Sequence, residues 1–188
     1  MINNAILIED LLVIRDVCHS LHLSVFLDGG TLLGAIRNQA FIDNDFDLGL
    51  FKAELDEDTH AKLMIKLTNS GFKFKGYEAQ AFIPKLEPNF TPYVLKFWSP
   101  RAHYNTDLWI FTEREQDYYH RGWLGYFYFL KETLDTLDEF EFLEHTFLVP
   151  HNPKLYLEHL YGKDWTVPKH MNCQDKSKDY PNWKKELI

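Results

Sequence analysis

The sequence predicts an α+β domain, and three observations predict it. Residues 4 to 21 carry apolar side chains at helical spacing. Residues 43 to 50 alternate polar and apolar, and from Phe72 to Thr112 short alternating segments follow one another, punctuated by proline. Helical and extended stretches thus interleave early and strands cluster later, which suits helices packed against a sheet. A chain of 188 residues fits one domain, able to bury about 70% of its unfolded surface. No repeat, low-complexity tract or linker interrupts it. Residues 1–188 therefore read as a single domain, with 169–188 as a polar C-terminal extension.

Taken in order, Ile6, Leu7, Leu11, Ile14, Val17, Cys18 and Leu21 build the first amphipathic helix. Leu23 to Leu27 read as a short buried strand that Gly29-Gly30 breaks, and Thr31 to Arg37 read as a short helix. In the next stretch Asp45 and Asp47 point one way and Phe46 and Leu48 the other. A second helix is expected from about Asp56 to Asn69, closed by Ser70-Gly71. Phe72 to Lys75, Gln80 to Leu86, Tyr93 to Trp98 and Tyr104 to Thr112 read as strands. For Tyr118-Tyr119 and Tyr126 to Leu130, short strands and a hydrophobic loop fit equally well. Glu139 to Leu143 and Thr146 to Val149 make a hairpin. Asn152-Pro153 then supplies an N-cap with proline at the first helical position, and Gly162 stops the helix after Tyr161.

Composition excludes several classes of function. A net charge of -8 argues against a nucleic acid polymer as partner, because a phosphate footprint needs a basic face. Cys18 and Cys173 are the two cysteines, too few and too far apart for a disulfide framework or a zinc set, so a reducing compartment is expected. Met1 to Asn4 carry no basic residue, and Glu9 and Asp10 interrupt the apolar run, unlike a signal peptide. No stretch approaches the roughly 20 apolar residues of a membrane span. The expectation is a soluble, cytoplasmic protein.

The chemistry concentrates between Leu27 and Leu50. Gly29, Gly30 and Thr31 open a helix, where exposed backbone N–H groups suit phosphate oxygens, and glycine lets a ligand approach the backbone closely. Arg37 is a candidate bidentate phosphate clamp, with a surface salt bridge as its alternative. Asp45 and Asp47 share one strand face, a costly arrangement unless a cation lies between them. Mg²⁺ (or Mn²⁺) supplies that charge and typically shares one or two carboxylates with substrate phosphates. Asp107 interrupts the apolar strand Leu108-Trp109-Ile110-Phe111 and is either bonded to a neighbour or a third metal ligand; with Asp45 and Asp47 facing one site, it is taken as the candidate third ligand. Lys52, Lys85, Lys96, His120 and Arg121 read as solvated surface groups, with positive charge for a diphosphate as the alternative. The aromatic run Tyr118-Tyr119, Trp123, Tyr126 and Tyr128 reads as packing or an oligomer contact, with a cage for a choline ammonium as the alternative.

Gly29 to Arg37, followed by Asp45-Phe46-Asp47-Leu48-Gly49, resembles the LicD family of bacterial phosphocholine transferases, whose relatives include fukutin and fukutin-related protein. Asp107-Leu108-Trp109 resembles that family's third carboxylate. Tyr156-Leu157-Glu158 with Tyr161-Gly162-Lys163-Asp164-Trp165 and Pro168 resembles its C-terminal signature. The resemblance implies a nucleotidyltransferase-like fold, a mixed β-sheet with helices packed against it. It implies transfer of a phosphorylated alcohol from a CDP-activated alcohol donor to a glycan acceptor, with CMP leaving, in cell-surface polysaccharide modification. Asp45 and Asp47 become the metal pair and Asp107 the third ligand or general base, while Gly29, Gly30, Thr31 and Arg37 bind the phosphates. Asp43 stays open between a ligand and a group that supports one. Two alternatives use the same residues: a nucleotidyltransferase moving NMP onto a small acceptor, and a catalytically silent nucleotide-binding or partner module.

Overall fold

The apolar stripe of the first segment folds as its spacing predicts. Helix α1 (Asn4–His19) buries Leu7, Leu11, Ile14 and Cys18 at three- and four-residue steps. The computed structural model describes residues 4–43, 45–77, 93–121, 125–168 and 180–184. The strand expected at Gln80 to Leu86, with Lys85, Trp123, Cys173 and most of the polar extension, lies outside them, as does the side chain of Arg121.

After α1 come β1 (Phe26–Leu27), α2 (Gly29–Asn38), β2 (Asp45–Phe51), a 3-10 turn (Lys52–Glu54) and α3 (Glu57–Asn69). A run of strands follows: β3 (Lys73–Tyr77), β4 (Val94–Ser99), β5 (Tyr104–Glu113), β6 (Asp117–Arg121) and β7 (Tyr126–Leu130). The chain then forms α4 (Lys131–Leu134), the hairpin β8 (Leu137–Phe142) and β9 (His145–Pro150), α5 (Pro153–Tyr161) and β10 (Trp183–Lys184). The aromatic stretches at 118 and 126–130 are therefore strands. Their antiparallel ladder runs from Asp117–Leu130 to Arg121–Tyr126.

Ten strands of the described residues form one sheet in the order β10-β7-β6-β5-β2-β1-β9-β8, with β4 added on β5 and β3 on β4. It is mixed: β2 and β5 run parallel, as do β1 and β9, while the remaining neighbours are antiparallel. β5 has β2 along one edge. Its other edge is shared by β4, over Tyr104 to Trp109, and β6, at Thr112 and Glu113. The α+β class and the mixed sheet are as expected.

Local chemistry sets the helix ends. Asp56 caps α3 by accepting from Thr59 N–H at 2.7 Å, the role its short carboxylate suits. Asn152 caps α5 by accepting from Leu155 N–H, with Pro153 in the first turn where no donor is needed. The core is strongly aromatic. Phe26 packs on Phe51 and Phe111, Phe111 on Phe129, and Phe129 stacks on Tyr156 with ring centroids 5.1 Å apart. Tyr118 and Tyr128 are buried in the same layer of strands, so this part of the aromatic run is packing. The described end of the C-terminal extension is also integrated: β10 pairs with β7, and buried Asn182 donates to the Tyr128 carbonyl at 2.8 Å. No helix of the described residues is long and apolar enough to cross a membrane.

Candidate active site

The strand pairing assembles the site. In the parallel pair β2–β5, Asp45 lies opposite Asn105 and Asp47 opposite Asp107. Paired residues project to the same face of a sheet, so the three predicted carboxylates share one face although Asp107 lies sixty residues further along the chain. On the other side of β2, Asp28 N–H donates to the Asp47 carbonyl at 3.0 Å and continues the pairing with β1 by one residue. Lys96 of β4 lies opposite Asp107, and its ammonium meets Asp107 Oδ2 at 2.8 Å. One row across four strands therefore reads Asp28, Asp47, Asp107, Lys96.

Asp47 is the most heavily engaged of these. Gly30 N–H, in the first turn of α2, donates to its Oδ2 at 2.9 Å, and the Trp109 indole donates to its Oδ1 at 3.1 Å. Its own backbone N–H donates to the Thr31 hydroxyl at 2.8 Å. Two glycines permit this approach. Gly29 sits at φ +48°, and a Cβ there would lie 2.5 Å from Asp47 Oδ2; a Cβ on Gly30 would lie 2.8 Å from Asp43 Oδ2. The predicted phosphate turn is thus a close junction between the α2 N-terminus and the carboxylates. The positive end of the helix dipole faces them, which favours negative charge there.

Burial and crowding make the site electrostatically costly. Burial, then the charges of Asp45 and Asp28, push the Asp47 carboxyl well above the ordinary carboxylate range, against the two hydrogen bonds that hold its ionised form. Burial likewise raises Asp28 to about 6, opposed by a 2.6 Å hydrogen bond from the Tyr156 hydroxyl and one from the Gly29 backbone. Tyr104 donates to the Asp43 carbonyl at 2.5 Å, and its hydroxyl is raised by burial and by the negative charge of Asp45, Asp43 and Asp47. Among the described residues, no three His, Cys, Asp or Glu side chains are close enough to form a ready metal-binding group. The donor set is nevertheless all oxygen, and it holds more carboxylates than Lys96 balances. A hard divalent cation fits that chemistry.

The predicted residues are not all brought together. Asp45, Asp47 and Asp107 share one face of the sheet, and Gly29, Gly30 and Thr31 lie against Asp47 at the start of α2. Thr31 is 4% exposed and uses its hydroxyl to tie α2 to β2. Arg37 lies in the last turn of the same helix, roughly 10 Å along its axis from Gly30 at 1.5 Å per residue. There it donates to the Trp165 carbonyl at 3.3 Å and to the Asn38 side chain, fastening the segment after α5. His120, expected at the surface, is buried and stacked on Trp109 at 4.8 Å, behind the side chain that holds Asp47.

Four contributors were not nominated from the sequence. Asp28 was hidden by its position at the end of an apolar strand, although Leu27-Asp28-Gly29 places a carboxylate directly before the helix. Trp109 and Tyr156 sat inside recognised motifs without an assigned contact. Lys96 read as a surface group, and only the β4–β5 register reveals its partner.

Comparison with known proteins follows this geometry. A family model described as LicD/FKTN/FKRP, nucleotidyltransferase domain, matches residues 22–152, which span β1 to β9 and every carboxylate above. No curated protein matches the chain. Among solved structures, the chain is similar to the crystal structure of ANT(2")-Ia in complex with adenylyl-2"-tobramycin, at 11% identity and a TM-score of 0.43. That match covers 74% of this chain and 66% of the other, so the chain spans just under two thirds of that protein.

Proposed function

The chain belongs to the LicD/FKTN/FKRP family of nucleotidyltransferase domains, and from that premise we propose that it is a Mg²⁺-dependent transferase. It moves a phosphorylated alcohol from a CDP-activated donor to a glycan hydroxyl, in cell-surface polysaccharide modification. The observation that carries this reading is the register of β2 on β5, which puts Asp47 opposite Asp107 beside the N-terminus of α2.

Asp45, Asp47 and Asp107 would hold the metal, which supplies charge neutralisation for the diphosphate and lowers the pKa of a bound hydroxyl. Gly29 and Gly30 bring Asp43 and Asp47 against the first turn of α2, and a donor diphosphate would bind beside those carboxylates, where the helix dipole favours it. Gly30 N–H and the Trp109 indole keep the Asp47 carboxylate in one orientation. The glycan oxygen attacks the phosphorus that carries the alcohol. The bond from that phosphorus to the CMP oxygen breaks, CMP leaves with the electron pair, and the new product is a phosphodiester. If Asp107 is not a metal ligand, it would be the general base that receives the hydroxyl proton; its partner in the strand row is Lys96.

The test is thermal denaturation with CDP, CTP and UTP, each with and without Mg²⁺. A cytidine nucleotide should raise Tm only when Mg²⁺ is present; at a hundred times Kd the gain is about 2.7 kcal/mol of stability. Stabilisation by CTP alone would turn the reading towards NMP transfer. Stabilisation by none of the three would leave a binding module for another partner.

A further inference from the structure

We propose that the sheet edge beyond the carboxylates, formed by Lys73, Lys75 and Trp98, is the subsite for an acidic sugar on the acceptor. The inference rests on the phosphotransfer reading of the carboxylate face given above. Its geometry comes from the register alone. Trp98 pairs with Asn105, which pairs with Asp45, just as Lys96 pairs with Asp107 and Asp107 with Asp47. Trp98 and Lys96 therefore carry the two rows of the site outward on the same face. Two interstrand spacings, about 10 Å, separate the Trp98 and Asp45 backbones.

One strand further out, Lys73 lies opposite Trp98, and the pairing of β3 with β4 slips between Phe74 and Gly76. The slip leaves Lys75 as the extra residue of a bulge, a device that re-aims a side chain. Both ammoniums consequently reach the same ring: Lys73 Nζ and Lys75 Nζ each lie 5.5 Å from the Trp98 centroid. His103 meets that ring edge-on at 5.6 Å. Lys73 and Lys75 are exposed and Trp98 half-buried. The result is a local positive edge on a chain of net charge -8, on the same sheet and outward of the row of carboxylates. A wide indole suits the C–H face of a sugar ring, and two ammoniums suit a phosphate or carboxylate on it.

The position favours the acceptor over the donor. The N-terminus of α2 reaches Asp47 from the β1 side of β2, whereas β5, β4 and β3 extend from its other side. In-line displacement puts the nucleophile opposite the leaving group. A donor diphosphate drawn towards the N-terminal end of α2 thus leaves the β5–β4 flank, past Asp107, for the incoming hydroxyl.

Saturation-transfer NMR with the full chain, CDP and Mg²⁺ tests this, using glucose 6-phosphate, glucuronic acid and glucose as probes. At least one acidic sugar should bind at millimolar concentration in preference to glucose. Binding should weaken by about tenfold or more in the double variant Lys73→Glu/Lys75→Glu, and its saturation signal should collapse in Trp98→Ala. The rise in Tm with CDP and Mg²⁺ should be the same in wild type and both variants. The inference is overturned if neither acidic sugar binds wild type, if binding is unchanged in the charge-reversed variant, or if that variant loses the CDP effect, which would assign the edge to the donor. If CDP stabilises none of the proteins while the sugar results hold, the failure lies with the phosphotransfer reading instead.

Discussion

The two ends of the β2–β5 pair are built from opposite materials. At the start, Asp45 faces Asn105 and Asp47 faces Asp107; further along, Leu48 faces Leu108, Leu50 faces Ile110 and Phe51 faces Phe111. The same ladder thus holds mutually repelling carboxylates at one end and fully apolar pairs at the other. The first end raises the free energy of the folded state, because burial and crowding oppose the charge of Asp47. The second offsets this: Leu50, Leu108 and Phe111 are completely buried, and Phe111 touches Phe26 and Phe129 as well. Stability and chemistry are segregated along two strands rather than between two domains, so the two ends should respond to mutation in opposite ways.

The largest effect is expected at the carboxylate end. Asp47→Asn keeps the size of the side chain and an oxygen for Gly30 N–H or Trp109, but removes the charge. Turnover should fall by about a thousandfold or more, the scale of losing a preorganised electrostatic group. Tm should be unchanged or higher. Steady-state transfer assays beside a denaturation curve decide the point, and unchanged turnover would sink the metal mechanism. The apolar end should give the mirror image. Phe111→Ala empties a packed site and should cost about 3–5 kcal/mol of stability, read from urea denaturation. Where the variant stays folded, its kcat should remain within a few-fold of wild type.

How much of this was legible in the sequence depended on the range of the signal. Asp45 and Asp47 announced themselves because strand alternation is local: Phe46 and Leu48 are fully buried in the core, and the two aspartates are partly buried on the opposite face. The caps at Asp56 and Asn152 were visible for the same reason. What was not visible depends on register. The pairing of Lys96 with Asp107 and the hydrogen bond from Tyr156 to Asp28, which spans 128 positions, follow from how strands and helices dock, and no spacing rule encodes them. Arg37 shows the converse. Its motif position suggested a phosphate clamp, but a ten-residue helix carries it to the far end, where it binds the Trp165 carbonyl. His120 looked like a surface charge because its neighbours are polar and tyrosine-rich, yet the β6 register turns it into the stack on Trp109.

A polar group on the helix whose Tyr156 stacks on Phe129, which in turn packs on Phe111, provides the finest test of the contrast. His159 of α5 is half-buried, and its Nε2 bonds to the Tyr128 carbonyl at 3.0 Å, the same oxygen that Asn182 uses. Burial holds its pKa below the ordinary histidine value, with the Tyr128 carbonyl acting weakly the other way. The sign follows. In the unfolded chain the imidazole takes a proton as the pH falls through about 6.5, while in the folded chain it resists until lower pH. The unfolded state then binds more protons, so stability declines on acidification through that window and levels off below the folded value. Because the ring is partly solvated, the effect should be small, about 1–2 °C in Tm between pH 7.5 and 5.5. His159→Gln keeps a donor for Tyr128 and should remove that part of the slope, while transfer activity at pH 7.5 stays as in wild type. A Tm profile that the substitution leaves unaltered would mean that His159 is as solvated when folded as when unfolded. A loss of activity would mean that the apolar end reaches into the chemistry, and that the segregation along β2 and β5 is incomplete.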